Sequence, residues 1–151
     1  MNLKELEKRL NELCKDYKDF ADNIAPEIIG KTAKDFYKES FQNEGFTDKG
    51  LNKWPEVKRR ENPRRPELAR ASRKILTETG NLRRSIDYET FKGRVVVTAE
   101  VFSKSGFNYA PVHNFGTKKI PRRMFVGESS VLNEKILEKI REKIKKISQN
   151  R

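Results

Sequence analysis

The sequence predicts an α+β fold, with helices at both ends of the chain packed on a small antiparallel β-sheet between them. Three observations carry this. Residues 3–24 place an apolar side chain every three or four positions. Residues 94–102 alternate apolar and polar after a Lys92-Gly93 turn. Residues 132–147 carry a second helical stripe. With 151 residues, one domain spanning 1–151 is expected. Only 34% of residues are hydrophobic and 37% are charged. Such a composition builds a thin, solvated core, or one completed by pairing with copies of itself.

The first helix is marked by Leu3, Leu6, Leu10, Leu13, Tyr17, Phe20 and Ile24, a heptad stripe over 1–24 with charged residues on the opposite face. The stripe has two candidate seats, the domain body or a neighbouring subunit. Cys14 lies at its edge and reads as a packing residue, with no cluster beside it to activate a thiol. Pro26 suits the first turn of a second helix, because its missing N–H is unpaired there anyway. Ile28, Ile29, Ala33, Phe36, Tyr37 and Phe41 give that helix an aromatic face suited to the sheet, and Gly45 is expected to stop it.

Residues 43–69 read as a long basic loop, since Gly45, Gly50, Pro55, Pro63 and Pro66 interrupt any regular element. Trp54 is its apolar anchor. Lys58, Arg59, Arg60, Arg64 and Arg65 make it either a solvated segment or a surface that meets DNA phosphates or an acidic partner. Residues 67–76 have helical character. Gly80 makes a turn, and Asn81 is a candidate cap for a short segment from Leu82 to Ser85. Two strands follow, Ile86 to Phe91 and Arg94 to Phe102, joined by Lys92-Gly93. Val95, Val97, Ala99 and Val101 share one face, and the half-polar other face suits a sheet covered on one side.

The densest punctuation lies between residues 108 and 127. Tyr109, Val112, Phe115 and Phe125 are the apolar residues this stretch is expected to bury. Gly116 provides a tight exit from a helical turn over 109–115, and Pro121 biases Ile120 towards an extended return. Lys118, Lys119, Arg122 and Arg123 form a basic flap between the two arms. Ser129 or Ser130 can cap a last helix carrying Leu132, Ile136, Leu137, Ile140, Ile144 and Ile147, with its glutamates towards the front and its lysines at the back, as the helix dipole favours.

The net charge of +12 attracts polyanions or an acidic protein surface and says nothing about fold. A single cysteine excludes an intrachain disulfide. No apolar run approaches the roughly 20 residues that span a bilayer. The N-terminus is charged from Lys4 and lacks a signal-peptide core, so synthesis inside a cell is expected. One histidine and one cysteine far apart in sequence cannot make a metal site of ordinary type. No nucleophile elbow, phosphate-binding glycine loop or dinucleotide fingerprint occurs. His113 reads as a packed turn residue rather than a base. No enzyme activity and no cofactor are expected.

Three motifs then fall in order. They are Leu76-x-x-x-Gly80-x-Leu82-x-x-Ser85-Ile86, Tyr109-Ala110-x-x-His113-x-Phe115-Gly116, and Ile120-Pro121-x-Arg123-x-Phe125, preceded by Trp54-Pro55 and followed by a terminal helix. Over roughly residues 30–146 this resembles the phage virion morphogenesis family, the tail completion proteins of contractile-tailed phages such as Mu, and more loosely the neck and tail-completion proteins of other tailed phages. Met124 departs from the family pattern, which usually has proline before the phenylalanine. The resemblance implies an α+β fold and a structural role where tail meets head, as a ring-forming homo-oligomer in the virion made in a bacterial host's cytoplasm. Tail tube or neck and connector proteins are the implied partners, and packaged DNA a non-specific one. Trp54, Gly80, Leu82, Ile86, Tyr109, His113, Phe115, Gly116, Pro121 and Phe125 then read as scaffold. Arg59, Arg60, Arg64, Arg65, Lys118, Lys119, Arg122 and Arg123 read as partner or DNA-channel surface. The alternative is a non-catalytic nucleic-acid-binding protein that uses the basic loop and flap.

Overall fold

The computed structural model describes residues 2–149. It is an α+β arrangement of long helices and two antiparallel hairpins. Helix α1 spans Leu3–Asp19 and α2 spans Ala25–Asn43, joined without a break by a π-helical turn at Phe20–Ile24. Asn2 opens α1 with a capping box: its Oδ1 accepts from the Glu5 amide at 2.9 Å, and Glu5 Oε2 accepts from the Asn2 amide at 2.9 Å.

The sequence suggests two helices, and Pro26 explains why they run on as one. Proline has no N–H to give the carbonyl four residues back, which is that of Asp22. The Gly93 amide donates to Asp22 O instead, at 2.8 Å, and Lys92 Nζ stands 3.6 Å from Asp22 Oδ2. The π-turn is therefore where the β-hairpin tip docks on the helix, consistent with the general use of such bulges as points of adaptation. α2 ends in a left-handed residue, but the stop is Glu44 at φ 50° rather than Gly45.

The expected loop after α2 begins as a hairpin. β1 (Gly45–Thr47) pairs antiparallel with β2 (Leu51–Lys53), Gly45 opposite Lys53. Gly45 serves this hairpin because a Cβ there would stand 2.6 Å from Asn52 O. Beyond it the chain makes two 3₁₀ turns, Lys58–Arg60 and Arg65–Glu67. The helical pattern over 67–76 yields only α3, Leu68–Ala71, because Arg59 takes the carbonyls of Arg70, Arg73 and Lys74 and the chain turns left-handed at Leu76. α4 covers Asn81–Arg84. Its N-cap is Gly80 at φ 71°, not Asn81, whose Oδ1 accepts from Arg84 Nη2.

β3 (Ile86–Phe91) and β4 (Arg94–Ala99) form the second hairpin about Lys92-Gly93, with Ile86 opposite Ala99. β4 stops short of Phe102, which makes an isolated bridge to Asn108 instead. α5 (Ala110–Phe115) and α6 (Ser130–Gln149) complete the chain. Ser129 caps α6: its buried Oγ accepts from the Leu132 amide at 3.1 Å. Asp48 Oδ1, from the β1–β2 turn, accepts from the Ser130 amide at 2.8 Å and ties the first hairpin to this helix start.

α2 is central, touching the second hairpin, the first hairpin and α6. One core cluster joins Phe41, Trp54, Ile75, Leu82, Ile86, Val101, Ala110 and Phe125. Phe41 meets the Trp54 ring at 5.4 Å, edge to face, and the Phe125 ring at 5.3 Å. A smaller cluster of Ala33, Phe36, Phe46 and Leu132 seats α6 on α2.

Candidate functional site

The stretch after β4 is built around a residue that pattern reading passes over. Asn114 is buried on α5, one turn after buried Ala110. Its Oδ1 accepts from the amides of Phe125 at 2.9 Å and Val126 at 3.0 Å, and its Nδ2 donates to Val126 O at 3.0 Å. A side-chain amide thus does the work of a β-partner and fixes the extended return against the helix. Phe115, the next residue, is turned about 100° round the helix from Asn114. It is 69% exposed, which corrects the expectation that it is buried. Gly116 makes the predicted exit at φ 74°, and a Cβ there would stand 2.8 Å from Arg122 N.

Most of the other expected scaffold residues take inward places. Trp54, Leu82, Ile86 and Phe125 are in the core, and Trp54 Nε1 donates to Met124 O at 2.7 Å. Tyr109 packs on that core, and the His113 ring meets it edge-on at 6.0 Å. His113 is half-buried, with Nδ1 buried and without a hydrogen-bond partner. Burial, then the positive charge of Arg123, hold its imidazole below the ordinary histidine value. Pro121 is exposed.

The eight basic residues do not form one surface. Arg123 is only 7% exposed, and donates to Pro55 O at 3.0 Å and Glu56 O at 3.1 Å. Arg59 caps the carbonyls that end α3. Arg60 is ion-paired with Glu44 and Glu56 and also donates to Arg73 O. These three were expected on a contact surface and instead hold the basic segment to the body. A guanidinium offers five donors, and a segment with little regular structure has spare carbonyls to receive them. Arg64, Arg65, Lys118, Lys119 and Arg122 remain exposed, and none of them makes an ion pair among the described residues.

Two concave places stand out. The first lies between Val57, Leu76, Leu82, Tyr109, His113 and the two arginines Arg59 and Arg123, with a volume of about 340 Å³. The second is a groove of similar volume between α1 and the end of α6, lined by Leu6, Leu10, Leu13, Tyr17 and Ser148. There the Tyr17 hydroxyl meets Ser148 Oγ at 2.7 Å. Ahead of that contact the α1 stripe is uncovered: Leu3 is 84% exposed, Leu10 52% and Leu6 40%. Cys14, expected to pack, is exposed. The first turns of α1 therefore present their leucines to solvent.

Sequence reasoning missed Asn114, Glu44 and Gly30. Asn114 had one legible signal, its four-residue spacing from Ala110. Comparison with family models, curated proteins and solved structures finds no match. Among the described residues, no helix is long and apolar enough to cross a membrane.

Proposed function

We propose that this chain is a structural subunit of a phage virion, completing the tail or joining it to the head as a ring-forming homo-oligomer. The structural observation that supports the reading is the uncovered leucine stripe of α1, with Leu3, Leu6 and Leu10 facing solvent. A regular apolar helical stripe left outside a thin core suits burial against another copy. The virion side of the reading rests on the three ordered motifs and their resemblance to tail completion proteins. On this reading the partners are further copies and the tail tube or neck proteins, and the place of action is the virion after synthesis in the host cytoplasm.

The test is solution mass by light scattering over a concentration series, at low and at about 0.5 M salt, a level that strongly screens surface charge. The expected result is a discrete oligomer that survives salt and shows as a ring by electron microscopy. A monomer at every concentration removes the self-assembly claim.

A second reading, nucleic-acid binding without catalysis, is favoured by the exposed Arg64, Arg65, Lys118, Lys119 and Arg122, which make no ion pair among the described residues. It requires duplex DNA to bind the monomer with an affinity that falls steeply with salt, as release of several counterions demands.

A further inference from the structure

Arg123 and Arg59 face the same pocket, and each is satisfied by carbonyls alone. Arg123 Nε and Nη2 go to Pro55 O and Glu56 O; Arg59 Nε and Nη2 go to the carbonyls of Arg70, Arg73 and Lys74. Among the described residues, no ion pair reaches either guanidinium. The nearby carboxylates are already engaged. Glu78, which also lines the pocket, is held by Arg70 Nε at 2.7 Å, and Glu56 by Arg60 Nη1 at 3.2 Å. Carbonyl oxygens satisfy donors but carry no net charge, so the recess holds two guanidiniums against one lining carboxylate, Glu78, which Arg70 already engages, while Glu56 acts on Arg123 without an ion pair. A buried charge in that position is costly unless paired. Burial and the neighbouring Arg59 accordingly hold the Arg123 guanidinium below its ordinary value. His113 stands in the same wall, with its Nδ1 buried and without a partner.

We infer that this pocket is a binding site for the carboxylate of an acidic side chain presented by a partner protein. The walls decide the class of ligand. Val57, Leu76, Leu82 and Tyr109 offer apolar surface to the methylenes of a glutamate or aspartate, while the guanidiniums take its charge. A duplex phosphate sits on a convex ridge and is met by exposed, extended cations. Arg123 is recessed and nine-tenths buried, within reach of a single side chain. The inference goes beyond the assembly reading and does not depend on it: solution mass tests assembly, and a small-molecule titration tests the pocket.

His113 is the only histidine, so its ring gives one imidazole signal in an NMR spectrum. The full chain is titrated with N-acetyl-glutamate α-amide, with its uncharged glutamine counterpart, and with inorganic phosphate. The expected result is a saturable shift of the His113 ring with the glutamate probe and none with the glutamine one. A bound anion also offsets the positive neighbours, so the His113 titration midpoint rises by about half to one pH unit. Arg59→Met weakens glutamate-probe binding about tenfold, the loss of one charge-assisted hydrogen bond; far-UV circular dichroism checks that the variant is folded. A saturable phosphate shift with no glutamate response overturns the proposal in favour of a phosphate ligand. Equal response to glutamate and glutamine probes, no response to any probe, or an unchanged affinity in folded Arg59→Met overturns it as well.

Discussion

Gly30 lies against the ring of Tyr88, so close that a Cβ on residue 30 would stand 2.2 Å from Tyr88 Cδ2. The glycine sits mid-helix in α2, where propensity alone disfavours it by about 1 kcal/mol relative to alanine. The gain is the docking of β3: the Tyr88 ring packs against the helix at Gly30, and its hydroxyl donates to Glu27 Oε2 at 3.0 Å. Helix α2 and the second hairpin are therefore set at a distance that only glycine permits.

Gly30→Ala is expected to destabilise the protein by about 1–3 kcal/mol, because overpacking outweighs the helix-propensity gain. Urea unfolding measures it. In a Tyr88→Ala background the same change becomes neutral or stabilising, since the clash is gone and only propensity remains. A double-mutant cycle that shows simple additivity would refute the contact.

Asn114→Ala is expected to lower stability by about 2–3 kcal/mol, because it strands the Phe125 and Val126 amides in a buried setting. Hydrogen exchange at those two amides should rise more than at β3 or β4. Uniform acceleration across the molecule would instead mean that the asparagine acts through global stability alone.

The Glu44 carboxylate accepts from Arg60 and from the Ile75 amide, the latter at 2.8 Å, tying the end of α2 to the basic segment. Arg60 first, then the Ile75 amide, holds this carboxyl below the ordinary glutamate value of about 4.3. A depressed folded value contributes stability that is present above the unfolded value and is lost as pH falls through the folded one. Glu44→Gln should therefore cost about 1–3 kcal/mol at pH 7. The gap to wild type should persist at pH 5 and narrow as pH falls below the ordinary glutamate value. Unfolding curves at pH 7, 5 and 3.5 check the sign, and a gap that widens on acidification would contradict it.

Leu6→Lys with Leu10→Lys should reduce self-association at least tenfold at unchanged thermal midpoint, because both side chains are already exposed in the monomer. Analytical ultracentrifugation reads the first effect and calorimetry the second. If the double variant associates like wild type, the α1 stripe is not the contact between copies.

Sequence alone determined the parts whose signal repeats locally. The apolar periods of α1, α2 and α6, the alternation through β3 and β4, the Lys92-Gly93 turn and the Gly116 exit all depend on neighbours a few residues away, and each appears in the structure, although α2 ends at Glu44 rather than Gly45 and β4 ends at Ala99 rather than Phe102. Tertiary structure alone decided which polar groups are spoken for. Arg123 reaches Pro55 and Glu56 across 68 and 67 residues of chain, Arg60 reaches Glu44 across 16, and Ile75 reaches Glu44 across 31. A basic residue in sequence has the same charge whether it meets solvent, a carboxylate or a carbonyl, so surface and scaffold arginines look alike until the chain is folded. The same holds for apolar residues at an element's edge. Phe115 and the first leucines of α1 carry a core-like signal, and only the reach of the body decides that it leaves them uncovered.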